Sequence, residues 1–177
     1  PVFVCLNSCS VRGIDGCIVR VEVDVSNGLP GMAIVGLPDA AIREATERVR
    51  SAIKNSGFDF PLKRITVNLA PADTRKEGPG FDLAIALGIL AASGQVNLDG
   101  VVEKCVLIGQ LSLDGHITGV RGVLAGAAAA KQAGFTGIVV PASNRREARS
   151  VPGIRVVSSD DLRSLALAIA SGCNDVN

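Results

Sequence analysis

The segment KEGPGFDLAIALGILAASG, residues 76 to 94, joins a rigid Gly78-Pro79-Gly80 turn directly to a helix with no polar face. Such a turn suits a nucleophile or a phosphate, because the unpaired amides of a first helical turn stabilise negative charge. Carboxylates surround it: Asp73 and Glu77 in the preceding loop, and Asp82 at the helix start. Carboxylates placed this closely could do acid–base work. In the plainer reading Asp82 complements the helix dipole, while Asp73 and Glu77 offset Arg75 and Lys76.

Other chemistry is thinly supplied. No GxxxxGK[ST] run is present, so the chain lacks the lysine and amide cradle of a P-loop. Gly78-Pro79-Gly80 begins like a dinucleotide fingerprint. Its sixth position is Leu83, however, and Pro79 has no amide hydrogen to offer a phosphate. His116 is the one histidine and follows the tight turn Asp114-Gly115, which predicts a solvated side chain. Without a second histidine, a His-based metal site or a Ser-His-Asp triad has little support. Cys5, Cys9, Cys17, Cys105 and Cys173 form an odd, scattered set without a CxxC pair, and read as small buried hydrophobes.

Basic residues cluster at Lys63-Arg64, at Arg75-Lys76 and at Arg145-Arg146 with Arg149. These are the candidate phosphate contacts, with Arg75 and Lys76 foremost because their loop precedes the apolar helix. Acids are interleaved, and 18 basic against 17 acidic residues leave a net charge of +1. That gives no global pull toward nucleic acid or anionic lipid. The longest apolar run, Leu83 to Ala92, is about half the length of a membrane span. No basic stretch followed by an apolar one opens the chain, so the expectation is a cytoplasmic protein without membrane contact.

The elements that must position these residues follow from periodicity. Val2 to Cys9 and Ile14 to Val25 read as strands, the second alternating Val19, Val21, Val23 and Val25 with Arg20, Glu22 and Asp24. A short strand spans Met32 to Val35. Asp39 caps a helix running to Lys54, with Ile42, Ala45, Val49, Ala52 and Ile53 on its apolar stripe and Glu44 and Arg48 on its exposed face. Arg64 to Leu69 is a strand, Ala70 to Gly80 a loop, and Phe81 to Ala92 a central helix. Val106 to Leu113 and His116 to Val120 form a hairpin about Asp114-Gly115. The remainder alternates: helix Val123 to Gln132, strand Ile138 to Val140, short basic helix Ser143 to Arg149, strand Val156-Val157, helix Asp160 to Ser171. Hydrophobic residues make up 47% of 177, enough for one domain with a core of Val, Ile, Leu and Ala. The order predicts an α+β fold, an α/β sandwich on a mixed sheet.

Three stretches carry a specific resemblance: SNGLPGMAIVGLPDAAIREATERVRSAIKNSGFDFP (26–61), RITVNLAPADTRKEGPGFDLAIALGILAASGQ (64–95) and GQLSLDGHITGVRGVLAGAAAAKQAGFTGIVVP (109–141). They resemble the N-terminal domain of the magnesium-chelatase-like AAA+ ATPases, the ComM/YifB family. More loosely the layout is similar to the Lon protease domain and the C-terminal domain of RadA. The resemblance implies the fold of the Lon protease domain and of a small-subunit ribosomal protein domain, with a left-handed βαβ crossover. It implies one domain over residues 1–172, with 173–177 a tail or the start of a linker to an AAA+ module.

In Lon-type proteases a serine in a Gly-Pro-Ser turn attacks the substrate and a lysine early in a later helix activates it. By that resemblance the two positions here hold Gly80 and Leu124, so neither member of the dyad is present. What the family then implies is a non-catalytic accessory domain of a ring-forming ATPase. The full-length protein is expected to be a hexameric homo-oligomer and a DNA branch-migration helicase of natural transformation. ATP and Mg²⁺ would belong to the AAA+ module, with no cofactor or metal in this domain. Two other readings stay open: an oligomerisation or docking domain without DNA contact, and a divergent hydrolase using Asp73, Glu77 or Asp82.

Overall fold

Val19, Val21, Val23 and Val25 turn one side of the second strand into the floor of the main core, each at most 5% exposed. The computed structural model describes residues 2–12, 15–101 and 103–170. Ile14, Ser171, Cys173 and the proposed tail therefore lie outside the described residues.

The strands are β1 (Val2–Arg12), β2 (Asp15–Ser26), β3 (Gly31–Val35), β4 (Arg64–Ala70), β5 (Cys105–Leu107), β6 (Gln110–Leu111), β7 (Ile117–Thr118), β8 (Gly137–Pro141) and β9 (Arg155–Ser159). Seven of them form one mixed sheet in the order β3-β4-β2-β1-β5-β8-β9, and β6 and β7 pair separately. Only β2 runs against the other six. The expected α+β architecture is therefore present, and six strand C-termini share one end of the sheet.

Helices α1 (Ala40–Arg43), α2 (Ala45–Asn55), α3 (Asp82–Ala92), α4 (Val123–Gln132), α5 (Arg145–Arg149) and α6 (Leu162–Ala170) cover it. Leu107 of β5 and Val139 of β8 join the core around α2, α3 and α6. Their neighbours Val106, Ile138 and Val140 join Cys9, Val123 and Ala127 in a second core under α4 and α5. Alternate residues of these strands thus face opposite helical layers, which is why β8 reads as an unbroken apolar run.

Every residue of α3 except Ala91 is buried, as a helix without a polar stripe requires. It lies directly on the sheet at Gly88, where an added Cβ would come within 2.6 Å of Val23 Cγ2. On the other face α4 makes the same kind of approach at Gly126, 2.7 Å from Ile108 Cδ1 by the same construction.

Two expected elements are divided. The helix from Asp39 is split into α1 and α2. Asp39 does cap it, its Oδ1 accepting the Ile42 amide at 2.9 Å. The Ala41 carbonyl, which a continuous helix would pair with the Ala45 amide, accepts from Arg48 Nη2 at 2.6 Å. The strand expected over Val106 to Leu113 ends at Leu107. There the chain leaves the sheet so that Gly109 can donate to the Gly80 carbonyl (2.9 Å) and accept from the Leu83 amide (3.0 Å). The hairpin about Asp114-Gly115 survives as the short β6–β7 pair, with His116 exposed.

Candidate functional site

The Gly78-Pro79-Gly80 turn opens onto a cleft of about 640 Å³ at the shared C-terminal end of the strands. In open α/β sheets this end, beside a point where the strand order reverses, is where ligands settle. Here the chain passes from the β3–β4 side of β1 to the β5–β8–β9 side. The ends of β1 (Cys9, Val11) and β5 (Ile108) form the floor, Gly78 to Gly80 one wall and Gly119 to Gly122 the other, with Asp39, Glu77 and Gln110 on the rim.

Two loops are strapped together behind this wall. The Asp39 amide donates to the Lys76 carbonyl and the Lys76 amide to the Leu37 carbonyl, each at 3.1 Å. Gly78 N–H donates to Asp39 Oδ2 at 2.9 Å, so both oxygens of Asp39 serve backbone amides. Gly36 must be glycine: its φ is +104°, and an added Cβ would lie 2.2 Å from the Leu69 carbonyl oxygen.

Lys76 is a correction to the sequence reading, which placed it with Arg75 as a phosphate contact. It is 1% exposed. Its Nζ donates to the Gly36 carbonyl at 2.8 Å and to the Pro71 carbonyl, tying the two loops together from inside. Burial holds its amine below the usual lysine range, with Asp73 pulling weakly the other way. A group so enclosed cannot reach a phosphate.

Asp82 is also more than a dipole complement. Its side chain is fully buried and grips Arg48 twice, Nε to Oδ2 at 2.6 Å and Nη2 to Oδ1 at 3.0 Å. The Leu111 amide donates to Oδ2 at 3.0 Å. Arg48, expected on the exposed face of its helix, is turned inward with its side chain 15% exposed, and it keeps the expected partner Glu44 at 3.5 Å. Burial pushes the Asp82 carboxyl above the ordinary carboxylate range, while Arg48 and the Leu111 amide pull it down. Arg48 is itself raised, chiefly by its hydrogen bond to Asp82. The short bidentate geometry fits an ionised pair. Facing away from solvent with its lone pairs engaged, Asp82 has no route to a substrate, and Asp73 and Glu77 stay exposed on the loop.

The remaining candidates separate by position. Lys63 and Arg64 are exposed at the N-terminal end of β4, and Arg75 is exposed beyond its C-terminal end. β4 runs about 20 Å from its first residue to its last, so the two groups belong to opposite ends of the strand. Arg145 and Arg146 follow β8 at the cleft's end of the sheet. Arg146 is exposed, whereas Arg145 is half-buried and donates from Nε to Ser158 Oγ at 2.6 Å. Arg121, exposed on the cleft wall, was missed although it stands in the quoted GVRG pattern. The sequence carried no sign that this arginine and Gly80 share a cavity.

Cys9 is the one thiol in the cleft lining, and burial pushes it up to about 11, so it stays protonated at neutral pH. Cys5 and Cys105 are half-buried and Cys17 is exposed, so only Cys9 among the described cysteines behaves as a fully buried hydrophobe. Gly80 faces Ile108, and an added Cβ would sit 3.4 Å from Ile108 Cγ2. Leu124 is half-exposed in the first turn of α4, two residues beyond the lining residue Gly122.

The family model for subunit ChlI of Mg-chelatase matches residues 21–144, the stretch that builds most of this cleft. The chain belongs to the ChlI family. Within it, YifB, an uncharacterized protein of Escherichia coli, is 42% identical over 153 residues, covering 86% of this chain and 30% of YifB. Competence protein ComM of Haemophilus influenzae is 45% identical over 139 residues, 78% of this chain and 27% of ComM. The ChlI-family chain thus spans about three-tenths of the length of these relatives. A Lon protease of Trichlorobacter lovleyi is 22% identical over 154 residues, 83% of this chain and 18% of that protein, and this likeness agrees with the fold. Among the described residues no helix is long and apolar enough to cross a membrane.

Proposed function

We propose that this ChlI-family domain is a non-catalytic module of a ring-forming AAA+ ATPase, serving assembly of the ring and guidance of DNA. The observation that carries the reading is Gly80 at the cleft wall. Where the Lon resemblance puts a nucleophilic hydroxyl, the side chain is a hydrogen atom, although a Cβ would fit at 3.4 Å from Ile108. The position matching the activating lysine is Leu124, and hydrocarbon takes no proton. The thiol in the cleft stays protonated, and Asp82, the carboxylate at the head of α3, is locked to Arg48. ATP and Mg²⁺ belong to the AAA+ portion, in a homo-oligomeric cytoplasmic ring.

For DNA, the reading now rests on Arg75, Arg121 and Arg146, which are exposed at the cleft's end of the sheet, and no longer on Lys76. Lys63 and Arg64 belong to a separate surface. The test is DNA affinity of the full-length protein against salt concentration. Replacing Arg75 and Arg121 by alanine should flatten the slope of log affinity by about 0.9 per lost contact on duplex DNA. An unchanged slope removes DNA guidance from these residues and favours the oligomerisation reading, which the net charge of +1 supports.

A further inference from the structure

The loop that leaves β3 holds an exposed leucine in a strained backbone. Leu37 has a φ of +57°, a left-handed conformation that bulky side chains rarely adopt, and it is 52% exposed. Bonds from the neighbouring loop impose this conformation. The Lys76 amide donates to the Leu37 carbonyl at 3.1 Å, Pro38 pairs with Lys76, and Lys76 Nζ holds the Gly36 carbonyl. The leucine side chain belongs to neither apolar core. Strain maintained at a residue that adds nothing to the core points to a role in binding.

Leu37 lines a cavity of about 350 Å³ with Pro38, Asp39, Ala40, Arg43 and Arg75. This cavity shares only Asp39 with the cleft at Gly80. Arg43 comes from α1 and Arg75 from the loop before α3, so two cations line one small space. Among the described residues neither guanidinium makes a hydrogen bond or an ion pair. Like charges brought together with no counter-charge between them repel. Asp39, the one carboxylate in the lining, already accepts from the Ile42 and Gly78 amides. Two guanidiniums and one carboxylate leave the lining positive by a single charge, beside an apolar wall of Leu37, Pro38 and Ala40.

We propose that this cavity binds a carboxylate carried on an aliphatic stem, with the carboxylate between Arg43 and Arg75 and the stem against Leu37. Guanidinium forks take a carboxylate in bidentate pairs. One negative charge balances the lining, whereas a phosphate dianion exceeds it and meets Asp39 as well. An inorganic ion leaves the apolar wall in water. Two sources carry this group: the end of a protein chain and a free aliphatic acid. The site does not rest on the proposed function. Of the arginines offered to DNA it includes Arg75, while Arg121 and Arg146 lie outside it.

Amide-resolved NMR titration of the chain with N-acetyl-leucine tests it. Shifts should map to residues 37–43 and 75 and saturate at roughly millimolar concentration. N-acetyl-leucinamide, which lacks the charge, and acetate, which lacks the stem, should each bind at least about tenfold more weakly. Arg43→Ala and Arg75→Ala should each weaken binding about tenfold. Leu37→Gly should weaken it about fivefold and keep the fold, because glycine takes a positive φ freely. Leu37→Asn repeats the test if the glycine variant unfolds. A leucine-ended peptide that binds tighter than hexanoate assigns the site to a chain terminus, and the reverse order assigns it to a free acid. Either order upholds the carboxylate site. Acetate or the amide binding as tightly as N-acetyl-leucine, or an unchanged affinity in the folded Leu37 variants, would overturn it. So would a short oligonucleotide that shifts Arg43 and Arg75 while N-acetyl-leucine shifts neither.

Discussion

Arg48 and Asp82, 34 residues apart in the chain, meet through two hydrogen bonds of 2.6 and 3.0 Å beneath the turn that opens the cleft. The pair joins α2 to the head of α3, and through the Leu111 amide it also holds the β6–β7 hairpin. Breaking one side strands a buried charge. Arg48→Met or Asp82→Leu alone should cost about 3–5 kcal/mol in urea unfolding, and the double replacement should recover most of that loss. Additive losses would mean the two residues act separately.

The pair also sets a pH dependence. Asp82 is raised by burial, so between the ordinary carboxylate value and its own higher one the folded chain holds more protons than the unfolded chain. In that window this group favours the fold as pH falls, and its contribution declines as pH rises. Comparing unfolding free energies of the parent chain and Asp82→Asn from pH 3 upward should show that slope in the parent alone. A parent that loses stability on acidification faster than the variant would contradict it.

Lys76 should act on stability rather than on binding. Lys76→Ala removes the donor to Gly36 and Pro71 and leaves a void, at a cost of about 2–4 kcal/mol. Below its melting temperature the variant should bind DNA with the parent's salt slope, while Arg75→Ala should not. A changed slope in folded Lys76→Ala protein would return the residue to the surface.

Gly80→Ser should fold with stability within about 1 kcal/mol of the parent, because the added Cβ meets Ile108 at 3.4 Å and the position needs no left-handed backbone. Gly88→Val should not be tolerated, since even its Cβ would press to 2.6 Å of Val23. Thermal melts of the two variants check both statements. The parent chain should leave an unfolded peptide uncut, and cleavage that tracks with the purified domain would end the non-catalytic reading.

Much of the fold was legible because its signals are local. Alternation in β2, the uniform apolarity of α3, the Asp39 cap and the Ala-rich α4 each follow from residues within one or two turns of one another. The losses occurred where a distant partner took over. Arg48 looked solvated until α3 supplied a carboxylate, and the strand after Cys105 was cut short by a backbone bond from Gly109 to Gly80.

The sequence by itself determined the element types, the apolar core composition, the glycine and leucine at the two dyad positions, and the family they resemble. Only the tertiary structure decided which charges are buried. It put Lys76 and Asp82 inside and left Arg75 and Arg121 outside. The reason is physical: periodicity reports which face of an element seeks apolar company. A buried cation is tolerated only where acceptors from far along the chain converge on it, and the carbonyls of Gly36 and Pro71 do so only after the loops have met.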